Sequence, residues 1–149
     1  MGFRNMVQVG IVVSDIERAR SKWSKLLGLD PQPIIETESW EETQMSFRGS
    51  PSMGRAKLTF FKLENIVLEL IQPLDGPSTW RDFLDRHGEG IHHIAFIVED
   101  AEDSKKPILE LGAIEEQRGL FKGGGYIYLD ARGSLGAILE LLYYKGDRR

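Results

Sequence analysis

The chain has 149 residues. A globular domain typically takes roughly 100 to 200, so one domain spanning 1–149 is expected, with two half-size modules as the alternative. Hydrophobic residues at 41% and charged residues at 28% are ordinary for a globular chain and exclude a disordered or fibrous one. Nineteen basic against twenty-three acidic residues leave a net charge of −4, and the basic residues form no stripe that a nucleic acid partner would need. With no cysteine, disulfides, thiolate nucleophiles and Cys-ligated zinc or iron–sulfur sites are impossible. The segment Met1–Val13 lacks a basic-then-apolar leader, and no run approaches about 18 apolar residues. A cytoplasmic protein without a membrane partner is expected.

Met6–Val13, M-V-Q-V-G-I-V-V, reads as a strand rich in β-branched residues. Ser14 with Glu17 has capping-box spacing, and Ile16, Ala19, Trp23, Leu26 and Leu27 predict the apolar face of a helix ending at Gly28. Ile34–Ile35 is extended, and Thr43–Phe47 reads as a short strand before a loop over Gly49–Gly54. Lys57–Leu63 and Ile66–Gln72 predict a hairpin. Ser78 or Thr79 caps a connecting helix over 78–87, closed by Gly88. Ile91–Val98 begins a new strand, followed by a helix bearing Ile108, Leu109 and Leu111, late-starting or kinked at Pro107. Ile114–Gln117, Tyr126–Leu129 and Ala137–Tyr144 are strands, and the polar tail Lys145–Arg149 is expected to fray.

The second half repeats the first. Gln8-Val-Gly-Ile-Val-Val-Ser-Asp15 superposes on His93-Ile-Ala-Phe-Ile-Val-Glu-Asp100 at an offset of 85 residues (93 − 8). Val67–Leu70 superposes on Ile138–Leu141 at an offset of 71 (138 − 67). The offset shortens because the first copy has a longer middle section. Each copy, 6–72 and 91–144, reads as strand, helix, three strands, too small to bury its sheet except against the other.

Within these apolar strands the repeat singles out Gln8, Glu69, His93 and Glu140. Side chains alternate along a strand. Each of the four therefore shares a face with apolar neighbours. Taken alone, each fits a solvated sheet position or a hydrogen-bonded core residue. Two carboxylates at repeat-equivalent apolar positions are costly unless paired or bound to a cation. One divalent ion resolves that cost, with two carboxylates, an amide oxygen and an imidazole nitrogen as ligands. Such a set suits Mg, Mn, Co or Ni, and also Zn. His92 takes the opposite face from His93 and reads as structural or as a residue that supports a ligand from behind.

These residues carry a resemblance. The doubled module with polar residues on the first and last strand of each half resembles the vicinal oxygen chelate superfamily, which includes glyoxalase I, methylmalonyl-CoA epimerase, extradiol dioxygenases and bleomycin and fosfomycin resistance proteins. It covers Val7–Tyr143. Phe83–Val98, F-L-D-R-H-G-E-G-I-H-H-I-A-F-I-V, and Leu68–Leu74, L-E-L-I-Q-P-L, resemble the epimerases. The resemblance implies an α+β fold in which two paired βαβββ modules form a curved, mostly antiparallel eight-stranded sheet around a metal cavity. It also implies a homodimer, and divalent-metal ligands at Gln8, Glu69, His93 and Glu140.

Two positions depart from the epimerases. Gln8 stands where they normally have His, as in eukaryotic-type glyoxalase I, and Ser52–Arg55 offers no acid where they resemble one another in a second base, leaving only Glu38, Glu41 or Glu42 nearby. The leading expectation is an isomerase that abstracts a proton α to the carbonyl of an acyl-CoA thioester, with Glu140 as the catalytic base. A glyoxalase I-like lyase acting on a hemithioacetal uses the same ligands. A non-catalytic drug- or metabolite-binding protein is disfavoured by the ligand set, and an extradiol dioxygenase by its single His. Lys22, Lys25, Arg48, Arg55 and Lys122 are candidates for CoA phosphates or plain surface charge, and Gly123-Gly124-Gly125 for close backbone approach to a ligand or a bare turn.

Overall fold

A computed structural model describes residues 2–146. Met1 and residues 147–149 lie outside the described residues, and with them the end of the tail expected to fray. In chain order the elements are β1 (Met6–Val12), α1 (Ile16–Leu27), β2 (Ile35–Glu36), α2 (Trp40–Thr43), β3 (Ser46–Phe47), β4 (Ser50–Pro51), β5 (Ala56–Lys62), β6 (Val67–Pro73), α3 (Thr79–His87), β7 (Gly90–Ile97), α4 (Ala101–Glu110), β8 (Ile114–Phe121), β9 (Gly124–Ala131), α5 (Arg132–Leu135) and β10 (Ala137–Tyr144).

All strands join one mixed sheet in the order β2-β5-β6-β1-β7-β10-β9-β8-β3-β4, curled into a half-barrel. The repeat is visible in this order. β1 pairs parallel with β6, and β7 pairs parallel with β10; β1 and β7 meet antiparallel at the centre. The fold class matches the expected α+β arrangement, but the sheet has ten strands rather than eight. The additional pair, β3 and β4, comes from the long middle section of the first half. That section leaves its own half and hydrogen-bonds to β8 at the far edge of the second, Ser46 opposite Arg118 and Phe47 opposite Gln117. Thr43, expected to begin a short strand, instead ends α2, where Gln44 takes a left-handed conformation (φ 47°) and its amide closes a helical turn on Trp40, so that the strand is confined to Ser46–Phe47.

Helix α1 starts one residue later than the capping-box spacing predicts, and α4 starts directly after Asp100. Asp15, not Ser14, caps α1 by accepting from the Arg18 amide, and its repeat-equivalent Asp100 caps α4 by accepting from Asp103. Ser14 is held instead by Glu89, whose carboxylate accepts from the Ser14 amide at 2.9 Å. Along α1 the buried stripe is Ile16, Ala19, Trp23 and Leu27, packed on Phe61, Leu68 and Leu70. Leu26, expected on that stripe, is exposed: at about 100° per residue it lies at the margin of the stripe beside Ala19, about 80° round from Ile16 and about 100° from Leu27. Helix α4 runs through Pro107 from Ala101 and buries Ile108, while Leu109 and Leu111 face out.

Three apolar clusters result. One lies under α1 and one under α4 on the outer face of the sheet. The third lies on the inner face, where Trp80, Phe83 and Leu84 of α3 and Trp40 and Met45 of the long section pack on Val12, Ile71, Tyr128 and Ile138. Helix α3 and the long middle section thus cover this part of the inner face.

Removing the cap side chain by Asp15→Ala or Asp100→Ala should each cost about 1 kcal/mol of unfolding free energy in urea titrations, and Ser14→Ala under about 0.5 kcal/mol. A larger loss for Ser14→Ala than for Asp15→Ala would contradict this helix start.

Candidate functional site

The four singled-out residues sit on the inner face in two adjacent rows across the sheet. Register places Phe60, Glu69, Gly10 and His93 in one row and Tyr128, Glu140, Ala95 and Gln8 in the next. The rows are the same list read in opposite directions, each position facing its repeat-equivalent across a pseudo-twofold axis between β1 and β7. The small residues Gly10 and Ala95 leave room for longer side chains to lean inward. At Gly10 this is absolute: a Cβ there would lie 2.1 Å from His93 Cε1.

Convergence is centred on His93 Nε2. It lies 3.1 Å from Gln8 Oε1 and 3.4 Å from both Glu69 Oε1 and Glu140 Oε1. All four residues are buried, none more than 8% exposed. Glu69 Oε1 and Glu140 Oε1 lack a well-formed hydrogen bond and have no solvent contact. Among the described residues no group of three or more His, Cys, Asp or Glu side chains is posed to hold an ion as it stands, since these atoms are turned onto one another. The three distances from His93 Nε2 nevertheless suit one. Ligands about 2.1 Å from a common ion stand roughly 3.0 Å apart in cis-octahedral and 3.4 Å apart in tetrahedral geometry. Two orphaned carboxylate oxygens, an amide oxygen and an imidazole nitrogen therefore fit a divalent cation.

Charge follows from this packing. Burial opposes an imidazolium at His93, but Glu140 and Glu69 outweigh it and raise the group to about 9. Glu69 is pushed up by burial and further by Glu140, with His93 partly offsetting. Without an ion the cluster keeps protons that ordinary solvated groups would release.

His92 does not take the opposite face from His93. The β1–β7 ladder slips between Gly10 paired with His93 and Ile11 paired with Ile91. His92 is thus the extra residue of a bulge, which breaks the alternation. Both imidazoles turn inward with ring centroids 5.1 Å apart, and their Nδ1 atoms are 2.9 Å apart. His92 Nε2 lies 3.1 Å from Thr79 Oγ1 at the start of α3. Burial, His93 and Arg132 hold His92 well below the usual imidazole range, so it stays neutral.

Sequence reasoning missed the aromatic wall. Tyr128 stacks 5.0 Å from the His93 ring and accepts from Trp80 Nε1 at 3.1 Å. Tyr126 accepts from Gln117 Nε2 at 2.8 Å, and Gln117 Oε1 accepts from the Thr79 amide at 2.8 Å. Burial pushes both phenols up, and the carboxylates add to it, so both remain protonated donors. The available signal was period-two alternation in β9, which puts Tyr126 and Tyr128 on the face of Glu140.

Other candidates lie elsewhere. Glu38, Glu41 and Glu42 are exposed. Ser52 is buried, its hydroxyl donating to Pro77 O at 2.5 Å. Arg48 is engaged by Glu116 at 2.8 Å and Asp82 at 3.2 Å, and Arg55 donates to Thr37 O at 2.7 Å. Lys22, Lys25 and Lys122 are exposed. Gly124 and Gly125 approach their own neighbour rather than a ligand, since a Cβ would meet Tyr143 O at 2.1 Å or its hydroxyl at 2.2 Å. A groove of about 500 Å³ lined by Met53, Arg55, Leu74 and Arg81 is formed without any of the four converging residues.

The sequence model of the Glyoxalase/Bleomycin resistance protein/Dioxygenase superfamily matches residues 7–128. The chain belongs to this superfamily. An uncharacterised Bacillus subtilis protein, YqjC, is 29% identical over 94% of this chain and 92% of its own length. The fold is shared with a hypothetical protein, BH1468, of Bacillus halodurans (TM-score 0.65, 20% identity, 97% of each chain). It is shared too with a variant Streptomyces coelicolor methylmalonyl-CoA epimerase in complex with 2-nitronate-propionyl-CoA (TM-score 0.66, 17% identity, 99% of each chain). Among the described residues no helix is long and apolar enough to cross a membrane.

Two predictions follow from the packing of His93. Gly10→Ala should destabilise the protein by about 1–3 kcal/mol by overpacking and displace the His93 ring, read from its imidazole NMR signals; unmoved signals would contradict the contact. Because His93 and Glu69 are both raised in the fold, their contribution is fully present below their unfolded values and is lost as pH rises. Chelator-treated protein should therefore lose unfolding free energy between pH about 6.5 and about 9. A flat profile across that window would contradict the charge state assigned to His93.

Proposed function

We propose that the chain is a single-domain, divalent-metal-dependent isomerase that moves a proton α to the carbonyl of an acyl-CoA thioester, in the manner of methylmalonyl-CoA epimerase. The observation that carries this reading is the buried convergence of Gln8, Glu69 and Glu140 on His93 Nε2 with two carboxylate oxygens left unpartnered. The epimerase-like stretches Leu68–Leu74 and Phe83–Val98 and the fold shared with an epimerase crystallised with an acyl-CoA analogue support the choice of substrate class.

Gln8, Glu69, His93 and Glu140 would hold the ion, one of Co, Mn, Ni, Mg or Zn. When bound, it supplies Lewis acidity where negative charge develops on the substrate carbonyl oxygen. Glu140 takes the α proton, its Oε1 being buried, without solvent contact and on the face the substrate must reach. Tyr126 and Tyr128 remain neutral hydroxyl donors beside that carboxylate. Trp80, Met45 and the α3 face exclude water, which keeps the carbanion from being quenched by solvent.

A second reading is a glyoxalase I-like lyase acting on a hemithioacetal. Gln8 in place of His favours it. So does the exposure of Glu38, Glu41 and Glu42, which leaves the Ser39–Arg55 section without an acid delivered to the site for two-base inversion.

Metal analysis after purification, followed by NMR-monitored deuterium exchange into methylmalonyl-CoA with methylglyoxal hemithioacetal as competitor, separates the two readings. Exchange into the thioester is expected. A chain that neither contains nor takes up divalent metal would instead indicate a non-catalytic binding protein. Glu140→Gln should lower the exchange rate by about 10²- to 10⁴-fold while metal content largely survives, and undiminished exchange would overturn Glu140 as the base.

A further inference from the structure

His92 is buried, touches no candidate ligand except His93, and has no part in the proton transfer described above. We propose that Thr79 and His92 are positioning residues that fix the tautomer of His93, so that its Nε2 lone pair rather than an N–H faces Gln8, Glu69 and Glu140 when a divalent cation is bound. This inference rests on the metal-binding reading of the site.

With Nε2 given to a cation, the hydrogen-bond geometry allows one assignment. An imidazole that gives Nε2 to a cation must carry its remaining proton on Nδ1, and that proton needs an acceptor. The atom facing His93 Nδ1 is His92 Nδ1, at 2.9 Å. His92 must then be unprotonated at Nδ1 and carry its proton on Nε2, where Thr79 Oγ1 accepts at 3.1 Å. Each link sets the next: Thr79 fixes His92, and His92 fixes His93. The outer end is also supplied. Thr79 lines a void of about 10 Å³ walled by Asp82, Glu116, Asp130, Arg48 and Arg132, roughly the space of one water able to accept the Thr79 hydroxyl proton.

Two structural features hold this chain of contacts in place. The bulge in β7 brings His92 to the inner face, where strand alternation would have turned it outward. The N-terminus of α3 is anchored there, with Ser78 capping through the Arg81 amide and Gln117 accepting from the Thr79 amide. Phe83 and Tyr128 flank the His92 ring edge-on, with centroids 5.3 and 5.2 Å away, and prevent it from flipping to another partner.

The test compares Zn²⁺ and Co²⁺ affinity by calorimetry in full-length wild type, His92→Leu, His92→Asn, His92→Gln and Thr79→Val. An asparagine places its amide near the Nδ1 position of the lost ring and a glutamine near Nε2, so only the former can restore the acceptor for His93. His92→Leu should weaken binding by about 10- to 100-fold, His92→Gln should resemble it, and His92→Asn should recover most of the loss. Thr79→Val, nearly isosteric, should weaken binding in the same direction by less. In Zn²⁺-loaded wild type, two-dimensional ¹H–¹⁵N spectra of the imidazoles should show His93 protonated at Nδ1 and His92 at Nε2. Equal affinity in wild type and His92→Leu, equal rescue by Asn and Gln, or a His93 protonated at Nε2 in the loaded protein would overturn the inference while leaving the metal site standing. A wild type that binds neither ion would overturn the metal-binding reading itself.

Discussion

Two carboxylates buried on one face of a sheet, with an imidazole between them, set the terms for the rest of this structure. Ionised and unpaired, Glu69 and Glu140 would each cost several kcal/mol to desolvate. The metal-free protein offsets that cost with protons, on His93 and toward Glu69. Two ionised carboxylates and the neutral imidazole that a cation needs sum to −2. A dication with a neutral imidazole sums to zero and satisfies the two oxygens the protein leaves without a proper partner. The electrostatic incentive to bind a cation is thus built into the apolar surroundings rather than into any one ligand.

The surroundings come from duplication. Opposing two copies across β1 and β7 brings the first and last strand of each half to the middle of the sheet. The antiparallel centre then offers two equivalent rows, and each row needs one small residue so that the long side chains can meet above it. Gly10 and Ala95 fill that role at equivalent positions. They are not interchangeable. The imidazole crosses directly over Gly10, which tolerates no Cβ, while the more flexible Gln8 leans over Ala95.

How much of this was legible in the residues depended on the range of the interaction. Strand periodicity and the 85-residue offset are local patterns, and they revealed the modules and the four converging side chains. The N-cap of α1 fell one residue away because Ser14 and Asp15 compete for the same role, and only the backbone geometry decides. His92 was misplaced since strict alternation has no knowledge of a bulge, which arises where two strands of unequal length must stay in register. The route of residues 40–51 was illegible for a different reason: their partners, Gln117 and Arg118, lie some seventy positions away in sequence, and two-residue strands carry almost no pattern of their own.

That long section also breaks the twofold symmetry, and the break bears on the base proposed above. Glu69 and Glu140 are equivalent in the repeat, yet Glu69 is paired across the sheet with Phe60 and Glu140 with Tyr128. A phenyl ring offers a carboxylate nothing, and burial is the largest cause of the rise at Glu69. On the other side the Tyr128 phenol, Trp80 indole and Tyr126 phenol form a polar seam roofed by α3 and by Met45 of the section that crosses from the first half. A substrate oxygen gaining charge needs donors, and they lie on the side of Glu140. Where two carboxylates share one site, divergent surroundings separate their roles. Here the divergence traces to Phe60 against Tyr128, a single repeat-equivalent pair, with the inserted section closing the polar side against water.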